Sequence, residues 1–348
     1  MKTGLIWKEW RQNVWVFVAF IILVIGYGQI EVHQTIENHN TLQKYYQSEE
    51  FALSQKSKDE DLYEDETEID HLLKVYADMH VPATVFSMIL VLFMGLKITV
   101  FEKNKRADYI AQAMPYSKLT IIMHKLLLPL VIIIGACLLY SVTTYLTFTA
   151  NVDAHYLFTL NEWLISNLNA LLLLLLIFSF SFMMGTLIGD VVVAVAATGA
   201  LLLSAMVITV GTLRYNIIGF YAYFKNSTIE SISNSDDLSF LFDRAPYANY
   251  IILIILVVVF LILGCLFYSK ASLENNGLML MLPKARMPIL IIGALYTALI
   301  LTTLNIDNDN RVSDAMVKSY LLHFGLTALI AFAIGWVLFY KVKKLRRI

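Results

Sequence analysis

Long apolar runs recur along this chain, and short polar segments separate them. A membrane span needs roughly 20 mostly apolar residues. Runs of that kind fall at about 14–30, 81–101 and 119–148. Lys97 lies near the end of the second, placed to snorkel toward the interface. The third is long enough to be tilted or to protrude. The next run, 164–213, contains one charge, Asp190. As one helix it would reach on the order of 75 Å, far beyond a bilayer core of about 30 Å. It has to fold back, and Gly185, Gly189 and Asp190 mark the turn. Gly185-x-x-x-Gly189 also matches the small-residue helix-packing pattern. That gives spans at 164–185 and 191–213, and the remaining runs add 247–268, 288–304 and 319–340. The expected fold is an all-α polytopic membrane protein with about eight transmembrane helices in one transmembrane domain.

Composition agrees. Of 348 residues, 58% are hydrophobic and 15% are charged, where a soluble domain carries about 25% charged residues. Such an apolar excess needs a bilayer as its solvent. A net charge of −1 gives no electrostatic reason for a nucleic-acid partner, and none is expected. Cys137 and Cys265 both lie inside apolar runs, which excludes a disulfide scaffold. Lys2, Lys8 and Arg11 precede the first run in the manner of a signal peptide, but no small-x-small cleavage site follows. An uncleaved signal anchor is expected.

Charge fixes the topology. Eight spans put both termini on one side. The segments on that side, 1–13, 102–118, 269–287 and 341–348, carry 15 Lys or Arg against four acids. Cationic loops stay in the cytoplasm, so both termini are expected to be cytoplasmic. The outer loop 31–80 carries 13 Asp or Glu against four Lys. Its composition suits a solvated helical arm, or an acidic vestibule that attracts cationic or amphipathic molecules by its field. The insert 214–246 mixes aromatic residues with Ser, Asn and Asp, as at a membrane–water boundary.

Candidate chemistry is sparse. No Gly-x-x-x-x-Gly-Lys-Ser/Thr phosphate loop, Gly-x-Ser-x-Gly or His-Glu-x-x-His occurs. His71 and His80 flank the acidic region, but no metal site is expected. Mid-membrane acids of the kind that proton- or ion-coupled transport needs are almost absent. The chain is therefore expected to have no catalytic residues and no cofactor of its own.

The informative stretch is Phe101 to Lys125. It opens on a basic cluster, Lys103, Lys105 and Arg106. Ala107, Ile110, Ala111 and Met114 recur at helical spacing against polar Glu102, Lys103, Arg106 and Asp108, which predicts an amphipathic helix of about three turns at the cytoplasmic interface. Pro115 ends it and Ser117 can cap the helix that follows. A plain interfacial linker fits the same residues.

The layout resembles the membrane subunit of an ABC exporter of the ABC-2 membrane family. The features that carry the resemblance are the opening Leu5-Ile-Trp-Lys-Glu-Trp-Arg11, an uncleaved first span with a large outer loop, the helix from Glu102 to Met114, Pro115-Tyr-Ser-Lys118, and Lys125 at the start of span three. The likeness covers spans one to six and is greatest to the membrane subunits of Gram-positive peptide exporters. Spans seven and eight depart from the six-span pattern. The resemblance implies that Glu102, Arg106, Asp108, Tyr109, Ile110, Met114 and Pro115 dock onto a separate ATPase subunit, which binds ATP and Mg. It also implies that an N-terminal helix with Trp7, Lys8, Trp10 and Arg11 lies along the inner interface. Glu274, Lys284 and Arg286 form either a second ATPase contact or a simple linker. The implied function is the permease half of an exporter in the plasma membrane, paired with a second permease subunit, moving amphipathic peptides or lipid-like compounds. The rival is a membrane sensor or immunity scaffold that binds peptide and transports nothing.

Overall fold

The computed structural model describes residues 3–49, 51, 73–77, 81–104, 113, 115–207, 213–225, 246–272, 279–304 and 312–341. Among these residues every regular element is helical and none is a strand. The helices are α1 (Thr3–Ile22), α2 (Gly28–Tyr46), α3 (Val85–Leu96), α4 (Lys118–Asn151), α5 (Leu160–Leu187), α6 (Val191–Val207), α7 (Leu213–Lys225), α8 (Pro246–Lys270), α9 (Arg286–Leu301) and α10 (Asp314–Trp336). Among the described residues six helical stretches are long and apolar enough to cross a membrane: Ile6–Tyr46, Lys118–Asn151, Leu160–Leu187, Tyr250–Lys270, Pro283–Leu301 and Asp314–Trp336. This is a multi-pass membrane protein. Apolar side chains such as Ile252 on α8 and Leu329 on α10 stay exposed, the surface that lipid covers.

Local signals explain where the helices begin. Thr84, Ser117 and Ser313 each accept a backbone N–H three residues on, from Ser87, Thr120 and Met316. Thr159 and Glu162 form a reciprocal capping box. The Glu162 N–H donates to Thr159 Oγ1 at 3.3 Å, and the Thr159 N–H donates to Glu162 Oε2 at 2.8 Å. Asp190 Oδ1 accepts the Val193 N–H at 3.1 Å, so the residue that marks the turn in the sequence also starts α6.

The chain divides into two compact units interleaved in sequence. One comprises Met1–Ile98, Pro115–Ser181 and Leu253–Leu261; the other comprises Thr99–Met114, Phe182–Ile252 and Ile262–Ile348. In the first unit, α1 and α2 form one unbroken helix, joined by a π-helical turn at Leu23–Tyr27. No break separates an interfacial segment around Trp7–Arg11 from a first span. No helix-stopping residue lies between them, so the helix simply continues. Its buried side is Glu9, Asn13, Phe17, Phe20, Val24, Gly28, Val32, Ile36 and His39, spaced three or four apart. That side packs along α4. Gly28 lets the Tyr140 ring lie on the helix backbone. Gln29 adds polar contacts, donating to Thr143 Oγ1 at 3.2 Å and accepting from Thr147 Oγ1 at 3.3 Å. Farther along the unit, His39 Nδ1 donates to the Leu73 carbonyl at 2.9 Å and the Val75 N–H donates to Tyr156 O at 2.9 Å. Trp163 stacks on Phe158 beside these groups, with centroids 4.7 Å apart.

In the second unit, α9 and α10 form an antiparallel hairpin, and α7 packs on the end where α9 finishes and α10 begins, through Ile218, Ala222, Leu304, Val317 and Tyr320. Asn216 is the polar centre of this contact. Its Nδ2 donates to Thr302 O at 3.1 Å, and its Oδ1 accepts the Leu304 N–H at 2.9 Å. Tyr223 donates its hydroxyl to Asp314 at 2.9 Å, and that carboxylate raises the phenol pKa above its ordinary value.

Gly264 of α8 sits against Phe182 and Met183. A Cβ there would lie 2.6 Å from Phe182 Cδ1 and 3.3 Å from the Met183 Cα. Phe182 is fully buried, so moving its ring aside disturbs its packed neighbours. Gly264→Ala gains about 1 kcal/mol of helix propensity but costs about 1–3 kcal/mol of overpacking. We expect a lower melting temperature in detergent. Gly199→Ala, where the added Cβ meets open space, is expected to leave it unchanged or raise it.

Candidate functional site

The best-defined polar site lies at the C-terminal end of α5, within the second unit. The last four carbonyls of a helix have no partner inside it. Here the end is buried, with Leu187 7% and Ile188 4% exposed, so bare carbonyls would be costly. All four are satisfied. Met184 O accepts the Ile188 N–H at 2.9 Å. Gly185 O and Thr186 O both accept from Lys103 Nζ, at 3.0 and 3.1 Å. Leu187 O accepts the Met281 N–H at 2.9 Å. Lys103 is 3% exposed, and its charge lies where the helix dipole is negative.

Lys103 reaches this end because the helical backbone is unbroken from Val85 through a π-helical turn at Lys97–Phe101 to Glu102–Asn104. A π turn holds an extra residue and shifts the face that follows it. Glu102 and Lys103 are both buried there. In the sequence Lys103 reads as one member of a basic cluster that marks the cytoplasmic face. The structure removes it from the surface. Charge counting cannot detect this, because the carbonyls it caps lie about 80 residues away.

The other expected site residues scatter. Arg106, Asp108, Tyr109, Ile110, Met114 and Glu274 lie outside the described residues. Pro115 is exposed. Lys284 is exposed in a short 3₁₀ turn at Pro283–Ala285, and Arg286, half-buried, opens α9. On α1, Trp7 and Arg11 are exposed while Lys8 and Trp10 are half-buried. Lys8 pairs with Glu9 at 3.9 Å, and Trp10 meets Phe17 with ring centroids 6.0 Å apart. Lys125, expected near a span end, is 1% exposed inside α4. Pro129, four residues on, has no N–H to give the Lys125 carbonyl.

A second polar feature of the same unit is an open cleft of about 800 Å³ at the α9–α10 end, lined in part by Thr302, Thr303, Ser319, Tyr320, His323 and Thr327. His323 Nδ1 donates to Ser319 O at 2.7 Å, which leaves Nε2 as an acceptor. Among the described residues that line it there is no carboxylate, lysine or arginine, and they offer hydrogen bonds. Among the described residues no group of three His, Cys, Asp or Glu is placed to hold a metal ion. No protein-family model, characterised protein or solved structure matches the chain.

Proposed function

We propose that this chain is the permease subunit of an ATP-driven ABC exporter, working with a separate ATPase subunit and a second permease subunit in the plasma membrane. ATP and Mg belong to the ATPase partner. The observation that carries the reading is the unbroken helix from Val85 to Asn104. It joins the basic inner segment stiffly to an apolar helix, as a coupling element requires. A flexible linker would absorb the partner's motion instead.

Eight spans with both termini cytoplasmic fit the same reading. Two shorter apolar helices, Val85–Phe101 and Val191–Ser204, stand where the second and fifth spans are expected. The bonded segments also obey the alternation. Lys103 and Met281 belong to inner segments, and Gly185–Leu187, which they hold, stand at the turn that ends the fourth expected span on the same side. His39 meets Leu73 within one outer segment, and Val75 meets Tyr156 and Tyr223 meets Asp314 between outer segments. The exposed apolar faces suit amphipathic peptides or lipid-like cargo better than ions.

The double substitution Arg106→Glu with Asp108→Lys tests the docking surface. We expect the variant to insert in the membrane at the wild-type level and to lose the co-purifying ATPase subunit almost completely. Normal ATPase recovery with that variant would falsify the assignment of this segment.

A further inference from the structure

We propose that the C-terminal end of α5 is a mechanical junction, with Lys103 as the positioning residue that ties one inner segment, 102–118, to a second, 269–287. The inference rests on the permease reading for its functional consequence, but the junction itself belongs to this chain alone. Residues before and after the inner face reach one set of carbonyls from two directions. Lys103 arrives from the end of the Val85–Asn104 helix and holds Gly185 O and Thr186 O at 3.0 and 3.1 Å. Met281 arrives from the segment between α8 and α9 and holds Leu187 O at 2.9 Å. The three acceptors are consecutive residues of one helix turn, so both segments bear on the same turn.

The chemistry suits a transmission point. A helix end is stiff along its axis, because each N–H of the last turn is bonded to the turn before it. A lysine ammonium carries three donors and can keep two carbonyls while its flexible stem swings. The main-chain bond of Met281 has no such freedom. The first segment is thus held by an adaptable strut, and the second by a fixed tether. Met281 is 1% exposed and Leu280 4%, so packing keeps the tether in place. A partner protein that grips the inner face at either segment acts on α5 through this one turn.

Two measurements on the detergent-solubilised chain without any partner decide whether the junction exists. Amine acylation of the wild-type protein should modify exposed Lys284 and spare Lys103. Equal modification of the two overturns the proposal. Hydrogen exchange of the peptide containing Met281 should quicken at least tenfold in Lys103→Met, while peptides from α10 keep wild-type rates, and Lys103→Arg should restore protection. Unchanged exchange at Met281 in a folded Lys103→Met protein also overturns it. With the ATPase present, Lys103→Met should retain ATPase co-purification and lose transport at least tenfold per ATP hydrolysed. If no ATPase accompanies even the wild type, the permease reading fails while the exchange result still stands. If ATPase binds and transport in Lys103→Met equals wild type, the junction carries no motion and the inference falls.

Discussion

Trp163→Ala is expected to lower stability by about 3–5 kcal/mol, the range for emptying a large aromatic site. Trp163 is 1% exposed. Its ring stacks on Phe158 and meets Phe148 edge to face, with centroids 6.4 Å apart. Its Nε1–H donates to Ser141 O at 3.2 Å. Magnitudes show which of these matters most. The hydrogen bond contributes about 0.5–1.5 kcal/mol net and the stacking about 0.5–1.5 kcal/mol beyond burial. The remainder comes from the cavity, because the capping box at Thr159 and Glu162 fixes the start of α5 and stops the site collapsing. Trp163→Phe keeps the stack and most of the volume, and should cost only about 1–2 kcal/mol. Thermal unfolding in detergent at one scan rate separates the two variants. Equal losses would mean that the indole N–H dominates.

The second large effect is expected at Asn216, which is 3% exposed. Asn216→Leu conserves volume but orphans the Thr302 carbonyl and the Leu304 N–H. Each buried group left without a partner costs about 1–3 kcal/mol. Asn216→Asp keeps an acceptor for Leu304 and sets a carboxylate against the Thr302 carbonyl, so it should be no better. Asn216→Gln offers the same amide on a longer stem. It is expected to recover less than half of the loss, because the site is buried and the longer stem moves the amide off both backbone partners. Melting temperatures of the three variants test this order. A wild-type value for Asn216→Leu would mean that water satisfies both backbone groups.

The helices were legible in the sequence because a bilayer imposes length and polarity together. The runs that predict spans at 119–148 and 247–268 lie inside α4 and α8. Asp190 announced its turn, since a lone charge after two glycines has little place in a continued apolar helix. Ser117 announced its cap for the same local reason. The bonds that hold helix ends and loops together were not legible. Lys103 and Asn216 act on backbone carbonyls about 80 residues distant, and every residue has a carbonyl, so no side-chain pattern marks the acceptor. Continuity of α1 with α2 was hidden for a different reason. Basic and aromatic residues at Trp7–Arg11 signal an interface, yet an interface does not require a helix to stop there.

The π-helical turn at Leu23–Tyr27 makes the first helix a counted length. About 30 residues separate Glu9 from His39, and at about 3.6 residues per turn they would make about 8.3 turns, leaving the two ends pointing roughly 120° apart. One surplus residue held in a π turn brings the figure close to a whole number of turns. The two ends therefore share a bearing, with Glu9 and Asn13 on the same side as Ile36 and His39. An insertion or deletion of one residue anywhere between them would rotate one end about 100° from the other. Side-chain identity in this stretch can vary within its polarity, but the number of residues cannot.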